Sequence, residues 1–260
     1  MPTTRSKQAI RIDKVSIVYG QNTAVDNVSF SVRTGSVHAL IGPNGSGKSS
    51  IIHAVMGINP LHAGQIEVAG TSVYGDGTSL AALRREFGIV PDEDDLIEPL
   101  TGHEYARLSA ALYGLDSDQA HARIQELGEL FELKALDDRI GSYSHGMRKK
   151  LAFIAAMVAK PALYIIDEPT NGLDPDMILL IKEIILSLKR NGKSVLLATH
   201  NLDFAQDIAD DITMIRSKRI ASGSVKEVLQ KAKAKTLEEA YLKLSGGQKK
   251  HEAIESYIVD

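Results

Sequence analysis

The sequence predicts an α/β fold with a parallel sheet at its centre, an antiparallel β segment near its amino terminus and an inserted helical segment. Three observations carry this prediction. An apolar run at 37–41 leads directly into Gly42-Pro43-Asn44-Gly45-Ser46-Gly47-Lys48-Ser49, and a helix-like run at 50–56 follows. Two further apolar runs, at 162–166 and 194–199, have the length and character of buried strands, with helical periodicity over 177–188 between them. Residues 10–32 and 65–73 instead alternate apolar and polar side chains, the pattern of half-buried antiparallel strands.

Taken in order, 10–32 falls into two alternating bursts separated by Gly20-Gln21-Asn22, which reads as two strands joined by a turn. The run 37–41 is apolar without alternation, as expected for a strand covered on both faces. Residues 65–73 add another short alternating stretch around Gly70, again read as antiparallel strand. From 80 to about 160 the pattern is mostly helical, with Ala106, Leu108, Ala110, Ala111 and Leu112 in one segment and Ile124, Leu127, Leu130 and Phe131 in another. The runs at 162–166 and 194–199, linked by a helix, read as parallel strands in the same sheet as 37–41. A hairpin at 212–222 precedes a lysine-rich tail over 225–260. The expected organisation is one domain over 1–225, with the helical insertion at about 92–160, and a helical extension over 226–260.

Composition narrows the function. At 260 residues the chain can bury a substantial core. A net charge of −3 with 24% charged residues gives no global reason to expect nucleic acid or an anionic membrane as the main partner. The absence of cysteine excludes disulfides, zinc-thiolate sites and thiol catalysis, and fits a reducing compartment. The first residues are too polar for a signal peptide, and the run at 151–159 falls well short of the ~20 apolar residues that cross a bilayer. A soluble, cytoplasmic protein is expected, able to dock on a membrane protein.

The motif from Gly42 to Ser49 fits the phosphate-binding P-loop. Strand, loop and helix in that order turn backbone N–H groups, the Lys48 ammonium and the positive end of a helix toward one anion, so a nucleoside triphosphate is the expected ligand. The run 162–166 ends in Asp167 and Glu168, which places two acids at the carboxyl end of a buried strand, where open α/β sheets bind ligands. Asp167 is expected to hold Mg²⁺ together with the Ser49 hydroxyl, and Glu168 to take a proton from an attacking water. The run 194–199 ends in His200, suited to contact a γ-phosphate or to hold that water. Alone, an Asp-Glu pair or a single histidine is compatible with an ordinary strand end; only together with the P-loop do they point to phosphate chemistry.

Between these motifs lies Tyr143-Ser144-His145-Gly146-Met147, followed by Asn171-Gly172-Leu173-Asp174 after Glu168. With Tyr19 ahead of the P-loop and His200 behind, this order resembles the nucleotide-binding subunit of an ATP-binding cassette (ABC) transporter over residues 8–225. The variant signature at 143–147 resembles that of bacterial exporters of the ABC-2 type. The resemblance implies a RecA-like P-loop NTPase core, ATP and Mg²⁺ as cofactors, and ATP hydrolysis coupled to transport. Tyr19 would stack on the adenine with Val25 at its flank, while Gly42 through Ser49, with Ser50, would hold the phosphates. Two subunits would meet head to tail, a homodimer being expected, so that Ser144 and Gly146 of one bind the γ-phosphate held by Lys48 of the other. Asp174 would line that interface. A transmembrane permease would be the other partner, holding the chain at the cytoplasmic face of the membrane, and no nucleic acid is expected.

The chain departs from the family pattern at two places and contains one decoy. His145 and Met147 replace the first glycine and the glutamine of the usual Leu-Ser-Gly-Gly-Gln, while Ser144 and Gly146 remain. Where the resemblance predicts a glutamine after Pro91, the chain has Asp92, within Asp92-Glu93-Asp94-Asp95; a metal-binding carboxylate and an acidic loop facing the transmembrane partner are both compatible with it. The decoy is Leu244-Ser245-Gly246-Gly247-Gln248. Thr236 and Glu239 have capping-box spacing and Leu237, Tyr241 and Leu244 share a helical face, so this copy falls at a helix carboxyl end, which repels phosphate. The alternative function, a soluble ABC-type ATPase acting on nucleic acid or the ribosome, lacks support from a coiled-coil insertion, a second cassette or a basic stripe. Lys226, Lys231, Lys233, Lys235, Lys243, Lys249 and Lys250 form the only basic cluster and read as a solvated helix face. A GTPase or small-molecule kinase leaves 143–147 and His200 unexplained together.

Overall fold

A computed structural model of the chain describes residues 8–77, 79–92 and 96–246. Strands β1 (Gln8–Tyr19) and β2 (Asn22–Arg33) pair antiparallel, and Gly20 supplies the left-handed turn between them at φ +59°. Strand β3 (Val37–Ile41) is buried at every position and delivers the chain to the P-loop and helix α1 (Lys48–Val55). Strands β4 (Ala63–Val68) and β5 (Thr71–Ser72) complete a 4-stranded sheet in the order β2-β1-β4-β5. Helix α2 (Leu80–Arg84) leads to strand β6 (Phe87–Val90). Helices α3 (Gly102–Leu112), α4 (Ser117–Leu130) and α5 (His145–Met157) follow, the first with a complete capping box between Thr101 and Glu104.

Strand β7 (Leu163–Asp167), helix α6 (Pro175–Arg190), strand β8 (Ser194–Thr199) and helix α7 (Leu202–Ile208) alternate as parallel crossovers require. Strands β9 (Asp211–Arg216) and β10 (Lys218–Ser224) form the expected hairpin, followed by helices α8 (Val225–Ala232) and α9 (Leu237–Leu244). The larger sheet is 6-stranded in the order β10-β9-β3-β8-β7-β6, parallel except for β10. Its two faces carry separate cores. Leu40, Ile165, Leu196 and Ala198 point toward the antiparallel sheet and α1, while Ala39, Ile41, Ile166 and Leu197 belong to the core shared with the helices. Uninterrupted apolar strands and alternating strands therefore occupy the positions that their patterns require.

One element corrects the sequence reading. Residues 80–160 read as mostly helical, yet Phe87–Val90 is an edge strand paired in parallel with β7. Four residues are too few to show a period, and their conformation is decided by pairing with a strand remote in sequence. In the tail, Thr236 accepts from Glu239 N, but the Glu239 carboxylate takes the Lys235 N–H at 2.8 Å, so only half of the expected capping box forms. Helix α9 ends at Leu244 and Gly246 adopts φ +76°; Gly247, Gln248, Lys249 and Lys250 lie outside the described residues.

Close approach of α5 to β6 explains Gly88, where a Cβ would stand 2.3 Å from the Ala156 carbonyl oxygen. Gly88→Ala should force these elements apart and lower stability by about 1–3 kcal/mol, measurable by denaturant unfolding. A change below about 0.5 kcal/mol would show that the contact yields freely.

Candidate nucleotide site

The P-loop is shaped by contacts that exclude side chains. A Cβ on Gly42 would lie 2.4 Å from Ile215 O and 2.5 Å from Ser46 Oγ, and one on Gly47 would lie 2.6 Å from Ala24 O. Gly47 is also the N-cap of α1, at φ +99°, and Gly45 has φ +76°. The loop thereby curls around the start of α1, with Pro43, Asn44, Gly45 and Ser49 exposed and Ser50 half-buried. The Lys48 ammonium folds back over this curl, donating to Gly42 O at 2.8 Å and Pro43 O at 3.3 Å. Ser46 Oγ is buried without a hydrogen-bond partner. A cradle too tight for a Cβ, with a buried cation at its mouth, fits the phosphates of a nucleotide.

Strands β3, β7 and β8 are adjacent and parallel, so their carboxyl ends emerge side by side. Glu168, just past β7, sits 3.0 Å from Lys48 Nζ through Oε1, an ion pair whose members are 4% and 5% exposed. Its Oε2 accepts from His200 N at 3.2 Å and lies 2.9 Å from His200 Nδ1. Glu168 has φ +43°, uncommon for a residue with a side chain, and its N–H donates to Ala198 O at 2.9 Å. Asp167 is pushed up to about 6 by burial, with the charges of Asp92 and Glu168 adding to the effect and a Ser49 hydrogen bond and Lys48 opposing it. Asp167 Oδ1 is buried and unpartnered. An orphaned carboxylate oxygen beside a serine hydroxyl suits a hard divalent cation. No cluster of three or more potential metal-binding side chains occurs among the described residues, so phosphate or water oxygens would complete the coordination.

The remaining expected site residues form a second group. Ser144 caps α5, accepting from Met147 N at 3.3 Å, and a Cβ on Gly146 would meet open space. Asp174 caps α6, accepting from Met177 N at 2.8 Å. The two helix starts are linked by His145 Nε2, 2.9 Å from Asn171 O. Among the described residues no hydrogen bond or ion pair joins Ser144 or Gly146 to the P-loop. Tyr19 ends β1, 44% exposed, with its hydroxyl accepting from Asn59 Nδ2 at 2.6 Å. Val25 borders the P-loop beside Gly47. Sequence reasoning gave no role to Lys149, which is fully buried and donates to Pro91 O and Asp92 O at 2.9 Å each. Its signal was a cation within the otherwise apolar face of α5.

The mainly parallel sheet, the P-loop and the acidic end of β7 define a P-loop nucleotide-binding protein. Comparison with known proteins narrows the class. The ABC transporter family matches residues 25–171. The linearmycin resistance ATP-binding protein LnrL of Bacillus subtilis (strain 168) is 34% identical over 217 residues, covering 83% of this chain and 69% of the relative. The Nod factor export ATP-binding protein I of Paraburkholderia xenovorans (strain LB400) is 34% identical over 218 residues, covering 83% and 71%. A solved ATP-binding subunit of an ABC transporter superposes with TM-score 0.85 at 32% identity, covering 91% of this chain and 99% of that one. A dimeric bacterial ABC transporter cassette shares the fold, with TM-score 0.77 at 22% identity over 83% and 98% of the two chains. The chain belongs to the ABC transporter family and is one of its ATPase cassettes.

The raised Asp167 sets a pH-dependent stability. Its folded form binds a proton more tightly than the unfolded chain, so ionised Asp167 weakens the fold as pH rises from about 4, and fully above about 6. Asparagine mimics the protonated acid. Without divalent cations, Asp167→Asn should stabilise the protein at pH 8 by about 1–3 kcal/mol, with the gain vanishing below pH ~4. Denaturant midpoints of both proteins across pH check this; a gain independent of pH would refute burial of the charge as the cause.

Proposed function

We propose that this chain is the ATP-hydrolysing motor subunit of an exporter, acting as a head-to-tail pair of identical cassettes beside a separate transmembrane subunit at the cytoplasmic face of the membrane. The observation that carries this reading is a site in two parts. Lys48, Glu168 and His200 converge with Asp167 beyond the carboxyl ends of β3, β7 and β8, whereas Ser144 and Gly146 stand at the start of α5 without a bond to them among the described residues. The positive end of a helix receives anions, so α5 offers its amino terminus to a phosphate held by a second copy. Export is supported by relatives named for Nod factor export and linearmycin resistance, and pairing by the dimeric state of a cassette that shares the fold. No helix among the described residues is long and apolar enough to cross a membrane.

Each residue has a task in this reading. The P-loop amides and Lys48 hold the phosphates, and the exposed Tyr19 ring offers a face to the adenine. Asp167 and Ser49 would hold Mg²⁺, which supplies charge to neutralise phosphate oxygens. Lys48 can neutralise either Glu168 or a phosphate; turned to a phosphate, it releases Glu168 Oε1 to accept a proton from water. His200 fixes the other Glu168 oxygen through Nδ1, and as an imidazolium it would donate from Nε2 to the γ-phosphate. Asp174 holds the start of α6 at the face where the second copy would meet it.

Two measurements test the reading. Glu168→Gln should lower ATP turnover about 10²- to 10⁴-fold while ATP still binds and dimers accumulate; turnover near the parent rate would remove Glu168 from the role of base. Gly146→Asp should abolish ATP-dependent dimers in light scattering, because open space at this position leaves the monomer fold intact, whereas Gly246→Asp should leave dimerisation unchanged. The reverse pattern would move the phosphate-binding signature to the carboxyl-terminal copy.

A further inference from the structure

The residue after Pro91 is an aspartate, and its bonds account for that choice. Asp92 Oδ1 accepts from Asn171 Nδ2 at 3.0 Å. The backbone at the same point is anchored separately, with the fully buried Lys149 ammonium donating to Pro91 O and Asp92 O at 2.9 Å each. Asn171 is gripped from a second side by His145, whose Nε2 lies 2.9 Å from the Asn171 carbonyl oxygen and therefore carries the proton of that bond. From a third side, the Asn171 N–H reaches Glu168 O at 3.4 Å. The next residue, Gly172, adopts φ +66° and leaves room for a Cβ only 3.3 Å from the His145 ring. Asn171 thus stands where the loop after β6, the start of α5 and the segment leading from Glu168 to Asp174 meet.

We propose that Asp92 is a positioning residue: its carboxylate and the His145 imidazole clamp Asn171 between them, and so fix the segment that joins Glu168 to Asp174. The inference rests on the proposed roles of Glu168 in hydrolysis and Asp174 at the subunit interface. Glu168 needs such support, because its positive φ is a strained conformation that persists only where neighbours over-determine it. A carboxylate is suited to the task. It only accepts hydrogen bonds, and an amide N–H bonded to an ionised oxygen is held more strongly than one bonded to a neutral oxygen. Glutamine would be one methylene longer and would present a donor as well as an acceptor to Asn171. The charge of Asp92 also reaches Asp167, where it opposes ionisation, yet its Oδ1 is engaged by Asn171 rather than turned to a cation. His145, which replaces a glycine of the usual signature, thereby acquires a purpose: it ties the phosphate-binding helix start of one site to the proton-accepting residue of the other.

An exchange of side chains tests the clamp. Asn171→Asp sets two carboxylates against each other and should lower kcat for ATP about tenfold or more, with KM for ATP and half-saturating Mg²⁺ changed less than about threefold. Adding Asp92→Asn restores an amide facing a carboxylate and should return kcat to within about threefold of the parent. Asp92→Ala supplies an independent readout that does not require the exchange: kcat should fall while half-saturating Mg²⁺ stays put. Thermal melting of each variant establishes that it is folded. A double variant as slow as Asn171→Asp would overturn the clamp. So would an Asp92→Ala protein that recovers full turnover at a raised Mg²⁺ concentration, which is the behaviour of a lost metal ligand. An unmodified chain unable to hydrolyse ATP would instead sink the functional reading and this inference with it.

Discussion

Burial on both faces of a parallel sheet is the constraint from which this architecture follows. Strands β3, β7 and β8 are buried at every position, because one face is covered by helices and the other by α1 and the antiparallel sheet. Polar chemistry finds little place within them, His38, 2.9 Å from Thr213 Oγ1, being the main exception. It is displaced to the ends of the strands, and parallel pairing puts the ends with the P-loop, the two acids and His200 side by side. The antiparallel sheet, with its alternating pattern, is the natural cover for one face, since half of its residues face solvent. The P-loop is caught between the two: its glycines are demanded by backbone from β2 at one point and from β9 at another.

The site is electrostatically costly by itself. Lys48 and Glu168 form a nearly sealed ion pair, and Asp167 lies beside them with an oxygen lacking any partner. Such groups are poor sources of stability, since desolvating a charge offsets most of what its pairing contributes. Their concentration at one edge is better explained by a ligand that brings both negative phosphates for Lys48 and a positive counter-charge for Asp167. The strained backbone at Glu168 and its double anchorage by His200 belong to the same economy of design. In the proposed dimer, the helix start carrying Ser144 and Gly146, with no acidic residue in its first turn, would extend the logic across a subunit boundary.

Several features of the chain were legible from sequence because they depend on local spacing. The P-loop, the strand run ending in Asp167 and Glu168 and the hairpin before α8 all follow from residues within one or two turns of each other. The placement of the Leu-Ser-Gly decoy at the end of α9 was likewise readable from helical periodicity. Strand β6 was not, because Phe87–Val90 carries no period and becomes a strand through β7, far along the chain. Lys149 was only half legible: a cation on the apolar face of α5 marks it as unusual, but its acceptors, Pro91 O and Asp92 O, are brought beneath it only by the fold.

The sequence by itself determined which residue types stand at the ends of which elements, since glycine spacing, apolar runs and caps are local properties of the chain. Only the tertiary structure decided which of those ends meet. Parallel strands with crossover connections bring Lys48, Glu168 and His200 within bonding distance across large separations in sequence. The same packing turns Asp92 toward Asn171 rather than leaving it as one more acid in a loop. Distance along the chain carries no information about such contacts; they exist because burying both faces of one sheet confines charged side chains to the strand ends, and parallel pairing gathers the carboxyl ends side by side.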